Sequence, residues 1–293
     1  MLHPATVQHF LSLASKRISP TLDEKGYREQ NAMKTSTKTK PAPQTDNAVF
    51  EYALRLGDDA LILGQRLSAW CGHAPSLEVD LGLSSLALDL VGQATFWLEL
   101  AARHDPQGRD ADTLAFRRDT HDFHNCLLVE QPNGDFAQTL ARQFLFSNYQ
   151  LLFLEALKGS SDKAMADIAA KCAGDVAYHV DFARDWMIRL GDASCVSHQR
   201  LVKSMDFMSH FVDELFIMDE VDNALLADGI SICKAALRDE FDHRIASVLS
   251  EAGLTPPKVR RSVILGRKGH DSEHVALLLH DMQIPPHEAD PRW

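Results

Sequence analysis

The sequence has few cysteines, and none of them lies in a Cys-x-x-Cys motif. Disulfide frameworks and zinc sites use cysteines that are paired at short, regular spacings. Here they are odd in number and scattered along 293 residues, at Cys71, Cys126, Cys172, Cys195 and Cys233. We therefore expect reduced thiols, no structural zinc and a cytoplasmic location.

Basic residues are also under-represented, since the formal net charge is −11. Proteins that bind nucleic acid usually present a basic face, so the net charge argues against this class. The acidic balance also makes the chain a poor docking site for an anionic ligand such as coenzyme A. The clearest local basic clusters are the pairs Arg260-Arg261 and Arg267-Lys268. We expect these pairs to meet a partner or solvent.

Long hydrophobic runs, a signal peptide and strand patterns are missing as well. The apolar run at residues 150–157, QLLFLEAL, is far shorter than the roughly 20 residues that cross a bilayer. The N-terminus lacks the basic-then-apolar pattern of a signal peptide, and no membrane association is predicted. No glycine-rich phosphate loop occurs, and strand signals are weak throughout. These absences favour an all-α protein.

What the sequence does contain is a long, strongly apolar segment at residues 127–157. It opens with the turn Gln131-Pro132-Asn133-Gly134, and Asp135 follows as a predicted helix N-cap. The helix predicted from there to residue 157 is apolar over most of its circumference, which is typical of a helix inside a bundle. We interpret it as the central helix, whose apolar positions are Leu140, Phe144, Phe146, Leu151, Leu152, Phe153 and Leu154.

Three further long helices follow from the apolar periodicity and the capping residues. They are predicted at residues 47–70, 76–104 and 162–190, with Ser76 as one cap and Gly191 as one end. A short loop at residues 158–162 makes the third and fourth long helices antiparallel. More helices are predicted between residues 197 and 253, with a break around 219–229. An irregular stretch at 258–268 then leads to a short helix at 274–283.

These elements indicate one helical domain at residues 46–293, preceded by an N-terminal extension at residues 1–45. The extension is rich in Thr, Lys, Pro and Gln, and it has too few apolar groups to offset the entropy of ordering. We expect it to be disordered. A sharper hypothesis is that Met33 is the native start, which peptides from residues 1–32 in protein from the native locus would disprove.

Polar residues in the middle of four long helices suggest that the protein could belong to the class of di-iron carboxylate bundles. Such bundles take a Glu from each of two helices and a Glu-x-x-His pair from each of the other two. Only fragments of that arrangement are present: Gly92 stands where the motif with Asp89 needs a His, and Val176 where the motif with His179 needs a Glu. The third helix has Gln143 and Tyr149 in its middle, and no carboxylate before Glu155.

We therefore predict no metal and no catalytic residue in this chain. The mid-helix polar groups are interpreted as a vestigial metal-site cluster that forms a buried hydrogen-bond network. Its predicted members are Asp58, with Asp59 beside it, Asp89, Gln93, Asp175 and His179.

Other histidines give weaker signals. Glu240 and His243 form one complete Glu-x-x-His, but no second copy accompanies it, and the residues around it indicate a solvated helix face. His121 and His124 precede Cys126 with no third ligand nearby in the sequence, so we interpret them as surface or interface histidines. Glu273 and His274 are interpreted as the start of a helix.

Several long blocks carry a family resemblance. The blocks are LGDDALILGQRLSAWCGHAP (56–75), LALDLVGQA (86–94), LLVEQPNGDFAQTLARQFLF (127–146), DVAYHVDFARDWMIRLGD (175–192) and GRKGHDSEHVALLLHDMQ (266–283). Over residues 47–283 the chain resembles the structural subunit of bacterial phenylacetyl-CoA epoxidases. The resemblance implies a ferritin-like four-helix bundle with additional C-terminal helices.

It also implies a role in aerobic phenylacetate degradation. In that family a related catalytic subunit holds the di-iron site and binds substrate, and a NADPH-dependent reductase supplies electrons for epoxidation of the ring. The subunit resembled here pairs with the catalytic subunit, supports it and lacks a working metal site. Asp58, Asp89, Asp175 and His179 are then relics of a lost site.

Two alternatives from other classes stay open at this point. One is a self-sufficient di-metal oxygenase with unusual ligands, against which the missing Glu-x-x-His pairs count. The other is a ferritin-like homodimer with an unrelated scaffolding role. Stable co-purification with a catalytic subunit separates the epoxidase subunit from the scaffold, which would only self-associate.

Overall fold

The computed structural model describes residues 44–257, 266–268 and 273–283, and within these ranges all regular structure is helical. The predicted N-terminal extension and the Met33 hypothesis lie outside the described residues, except that the first helix begins at Gln44. The α-helices are α1 Gln44–Ser68, α2 Leu77–His104, α3 Ala111–Phe116, α4 Leu127–Glu130, α5 Phe136–Leu157, α6 Lys163–Ala193, α7 Cys195–Ser209, α8 Glu220–Ala227, α9 Arg238–Glu251 and α10 Glu273–Gln283.

Helices α1, α2, α5 and α6 form the four-helix bundle that the sequence predicts. His104 at the end of α2 lies 3.5 Å from Asp46 at the start of α1, so these two helices are antiparallel. The indole of Trp70, just after α1, donates to Thr139 in the first turn of α5 over 3.0 Å, so α5 also runs antiparallel to α1. Helices α2 and α5 are therefore parallel, and the 31 residues between them must cross the length of the bundle. This is ferritin-like topology.

The predicted helix starts are confirmed by their caps. The Ser76 hydroxyl accepts the N–H of Val79, and the Asp135 carboxylate accepts the N–H of Gln138 over 3.0 Å. Each contact satisfies one N–H that has no partner inside its helix. Most of α5 is buried, as its apolar circumference predicts.

The predicted end of α6 at Gly191 is wrong, because the helix continues to Ala193. A Cβ atom on residue 191 would lie 2.3 Å from the carbonyl oxygen of Ala252, just after α9. Glycine here permits a close helix-to-helix approach and does not end a helix.

One prediction for the C-terminal third also needs correction. The predicted break at 219–229 contains a helix, α8, whose capping box pairs Asp219 with Asp222. Of the irregular stretch at 258–268, only a 3-10 turn at Gly266–Lys268 is described. The last helix, α10, is confirmed.

By length and composition alone, α2 could cross a membrane, and no other helix of the described ranges meets that test. Of its most apolar 18-residue window, 56% is buried inside the protein. Core helices of bundles pass the same test, so this is weak evidence for a membrane span. The remaining, unburied part of this apolar helix faces outward from the bundle.

Candidate functional site

The predicted cluster is centred on a contact between α2 and α6. His179 is fully buried, and its Nε2 lies 3.2 Å from the Oδ2 of Asp89. Asp175 lies one turn before His179 and is more exposed. Burial and the charge of Asp89 raise the pKa of the Asp175 carboxyl, while His179 and Lys171 act in the opposite direction. The prediction that Asp89 and His179 lie together is thus confirmed.

A second pair joins α2 to α5. Gln150 Nε2 donates to Gln93 Oε1 over 2.9 Å. Several buried polar atoms around it make no hydrogen bond within the described residues: Gln93 Nε2, Gln150 Oε1, His179 Nδ1 and both amide atoms of Gln143. The expectation of a network that satisfies itself is therefore only partly met, because two direct pairs form and their outer atoms stay unpaired.

Asp58 does not belong to this cluster. Its carboxylate accepts hydrogen bonds from both terminal nitrogens of Arg118. It also accepts one from the backbone N–H of His124, over 2.9 Å. The Arg118 guanidinium also lies over the ring of Phe123, at 4.0 Å from its centroid. Sequence periodicity placed Asp58 at the height of the other acids, but it did not show that this carboxylate faces the connection between α2 and α5.

Asp59 serves the same connection. Its carboxylate accepts a hydrogen bond from the backbone N–H of Cys126 over 2.7 Å and another from the Nη2 of Arg267 over 2.6 Å. Glu214 accepts the N–H groups of Leu127 and Arg267 over 2.8 and 3.2 Å. Arg267 is buried, so the expectation that it meets solvent or a partner is wrong; Arg260 and Arg261 lie outside the described residues.

Together these contacts fix the long crossover against the outer side of α1. Farther along, Arg66 donates to the carbonyl oxygen of Glu130 over 2.6 Å, and Asn133 donates to the carbonyl oxygen of Arg66 over 2.7 Å. The crossover passes along α1, and its length lets α5 run parallel to α2. Two adjacent acids in an apolar helix signal a need for buried cations, but the sequence does not show which arginines supply them.

The donor set at the centre of the bundle does not fit a di-iron centre. A site of the family type needs about six ligands from four helices, most of them anionic oxygens. Asp58 and Asp59 are engaged by arginines, and the buried polar residues of α5 are Thr139, Arg142, Gln143, Ser147, Asn148, Tyr149 and Gln150. The possible metal ligands that remain at the centre are Asp89, Asp175 and His179, and they come from only two helices.

One other group of possible metal ligands occurs in the described part of the chain. Asp119, His121 and Asp122 have ligand atoms within 4.8 Å of one another, so the expectation that His121 has no third ligand nearby is wrong. All three are exposed and local in sequence, and they lie on the crossover, outside the bundle. His124 instead has its Nδ1 3.0 Å from Glu51.

The remaining predicted signal, Glu240 of the isolated Glu-x-x-His, pairs with Arg244 over 2.7 Å on the surface of α9. This agrees with the solvated face that the sequence indicates. The Glu240 pKa is lowered, chiefly by its hydrogen bond to Arg244.

Comparison with known proteins identifies the family of this chain. The family model described as phenylacetic acid catabolic protein matches residues 28–291. Among curated proteins, the chain is 42% identical over 237 residues to one subunit, designated C, of the 1,2-phenylacetyl-CoA epoxidase from Escherichia coli (strain K12). That alignment covers 81% of this chain and 95% of the relative. This ferritin-like helical chain therefore belongs to the phenylacetic acid catabolic protein family.

Proposed function

We propose that the chain is the structural, non-catalytic subunit of a multicomponent phenylacetyl-CoA epoxidase. It pairs with a di-iron catalytic subunit and supports that subunit during aerobic phenylacetate degradation. The observation that carries the proposal is the use of both mid-helix acids of α1 as anchors, Asp58 for Arg118 and Asp59 for Cys126 and Arg267, since this leaves too few donors for two metal ions. The similarity to a named epoxidase subunit supports the choice of complex.

In this proposal, side-chain contacts take over the mechanical role that bridging metals have in a catalytic bundle. The Asp89–His179 contact ties α2 to α6, and the Gln93–Gln150 bond ties α2 to α5. The ion pair of Asp58 with Arg118 and the hydrogen bond from the Cys126 N–H to Asp59 tie α1 to the crossover, and the ion pair of Asp59 with Arg267 ties α1 to the 3-10 turn at Gly266–Lys268. The bundle can thus keep its shape without metal while its partner keeps the chemistry.

The chemistry of the complex belongs to its other components. The catalytic subunit would supply the di-iron centre and the substrate site, and a reductase would supply electrons from NADPH. The chain itself requires no cofactor, binds no nucleic acid and acts in the cytoplasm. When it is purified alone it can form a homodimer.

Co-expression with the catalytic subunit encoded in the same organism tests the proposal. We expect the two chains to co-purify at a fixed ratio and to epoxidise phenylacetyl-CoA when reductase and NADPH are added. The chain alone should show no turnover. Turnover by the chain alone would make it an oxygenase in its own right. Self-association without any binding to the catalytic subunit would make it a scaffold.

A further inference from the structure

Helices α2 and α6 share an outward face that the described residues, 44–257, 266–268 and 273–283, leave uncovered. The two helices meet at three successive points along their lengths: Gly82 with Phe182, Asp89 with His179, and Phe96 with Lys171. Along this line the residue numbers increase in α2 and decrease in α6, so the two helices are antiparallel. The residues that flank the line on its solvent side define the α2/α6 face: Leu77, Leu81, Asp89, Gly174, Asp175 and Tyr178.

The α2 half of the α2/α6 face is unusually apolar for a solvent-exposed helix side. Leu77 is 68% exposed and Leu81 is 63% exposed, one turn apart on the same side of the helix. Tyr178 on α6 is 48% exposed, and its ring centroid lies 6.4 Å from that of Phe182. Helix α2 carries no Lys or Arg before Arg103 in its last turn. Contiguous exposed apolar groups of this kind mark interaction surfaces.

Gly174 provides an independent observation. It lies in the interior of α6, where glycine is less stable than alanine by about 0.5–1 kcal/mol. A Cβ atom on residue 174 would meet nothing within 4 Å, so packing among the described residues does not require glycine there. Close approach of another backbone would require it.

The charges on the α2/α6 face are acidic and incompletely paired. Asp89 and Asp175 repel each other across the line where the helices meet. In the part of the chain that the structure describes, Asp175 makes no ion pair, and the Lys171 ammonium lies 3.6 Å from the Phe96 ring centroid. A positively charged side chain placed between the two carboxylates would remove this repulsion.

We propose that the α2/α6 face is the surface on which the catalytic subunit docks. This inference rests on the proposed function and names the surface that performs it. The partner presents an apolar helix that packs on Leu77, Leu81 and Tyr178 and passes closest at Gly174. An Arg or Lys from that partner lies between Asp89 and Asp175.

The test is the dissociation constant between the full-length chain and the purified catalytic subunit, measured by biolayer interferometry. Leu81→Arg places a charge in the apolar half of the α2/α6 face, and we expect it to raise Kd at least about tenfold. The matched control is Val196→Arg, which replaces a residue of nearly equal exposure, 61%, on α7, a helix that is not part of the α2/α6 face. The control should leave Kd within about twofold of wild type.

Asp175→Lys tests the acidic half of the α2/α6 face separately. It should also raise Kd, and more strongly at low ionic strength than at high, because the interaction it reverses is electrostatic. Both substituted positions are at least partly exposed, so the variants should fold, and circular dichroism with a melting curve confirms this before binding is measured.

The outcomes separate this inference from the proposed function. Binding by wild type that neither Leu81→Arg nor Asp175→Lys weakens would overturn the docking face and leave the proposed function standing. Absence of binding by wild type would overturn both. Loss of self-association in Leu81→Arg, with the affinity for the catalytic subunit unchanged, would assign the α2/α6 face to a second copy of this chain and overturn the inference.

Discussion

Two neighbouring carboxylates in α1 decide what this bundle can do. Asp58 and Asp59 are both buried, and each meets a guanidinium from a segment distant in sequence, Arg118 or Arg267. Buried carboxylates that were free could serve as metal ligands, whereas these carry the crossover connection. Acidic residues in the middle of a bundle helix, where a di-iron protein would have metal ligands, therefore have a structural role here.

Removing one of these charges should be costly. Asp59→Asn leaves Arg267 buried without its closest counter-charge, and we expect a loss of about 3–5 kcal/mol in the free energy of unfolding. Urea unfolding followed by circular dichroism measures it. The control is Glu240→Gln, which breaks an exposed pair with Arg244 and should have a much smaller effect. Equal losses in the two variants would contradict the anchoring role of Asp59.

The pair between His124 and Glu51 makes a pH-dependent contribution to stability. The hydrogen bond to Glu51 raises the pKa of His124 against the opposing effect of burial. Burial would raise the pKa of Glu51, but the hydrogen bond and charge of His124, with Arg55, outweigh it and lower that pKa. The contribution of His124 is thus complete below the unfolded-state value of 6.5 and declines as pH rises through the folded-state value. The contribution of Glu51 is present above 4.5 and declines as the pH falls below it.

The difference in unfolding free energy between wild type and His124→Gln should therefore be largest near pH 5.5, at about 1 kcal/mol, and should shrink as the pH is raised to about 9. Urea unfolding at a series of pH values gives this profile. His198→Gln is the control, because the ring of His198 contacts the carbonyl oxygen of Gly191 and not a carboxylate. A difference that grows with pH would contradict the assignment.

At the scale of the helix, local signals could be read from the sequence and long-range ones could not. Ser76 and Asp135 cap their helices through contacts to residues three positions later, so the sequence alone predicts them. Gly191 also follows a local rule for helix ends, yet its role depends on Ala252, which is distant in sequence. Likewise, the side of α1 that Asp58 faces depends on where the crossover passes.

Two glycines in α6 give a matched pair for this argument. Gly191→Ala brings a Cβ atom against the Ala252 backbone and should destabilise the chain by about 1–3 kcal/mol. Gly174→Ala meets open space and should stabilise the isolated chain by about 0.5–1 kcal/mol, since alanine is the better helix former. Thermal and urea unfolding of the two variants should give opposite signs. If both variants changed the free energy of unfolding in the same direction, the packing around one of these glycines would differ from that described here.

At the scale of the molecule, the four-helix topology is that of a di-iron family while the donor set is not. The sequence predicts most of this: the long helices, the missing Glu-x-x-His pairs and the contact of Asp89 with His179. It does not predict that the mid-helix acids are divided between the bundle centre and the crossover, because side-chain direction in a helix depends on what packs against each side.

The contact between α2 and α6 should matter for stability and not for chemistry. His179→Ala removes a buried polar partner and should lower the free energy of unfolding by about 1–2 kcal/mol. In a fully assembled, iron-loaded complex, turnover of phenylacetyl-CoA should remain within about twofold of wild type at a temperature where the variant is folded. Loss of turnover in an intact complex would show that this chain takes part in the reaction.

The iron content of this chain decides whether the bundle has lost its metal site. We would express the chain alone in iron-supplemented medium and measure bound iron per chain after gel filtration. We expect a value near zero, and the same value for an Asp89→Asn, His179→Ala double variant. About two iron ions per wild-type chain, lost in the double variant, would contradict the structural role, because the bundle would then hold its own di-iron centre.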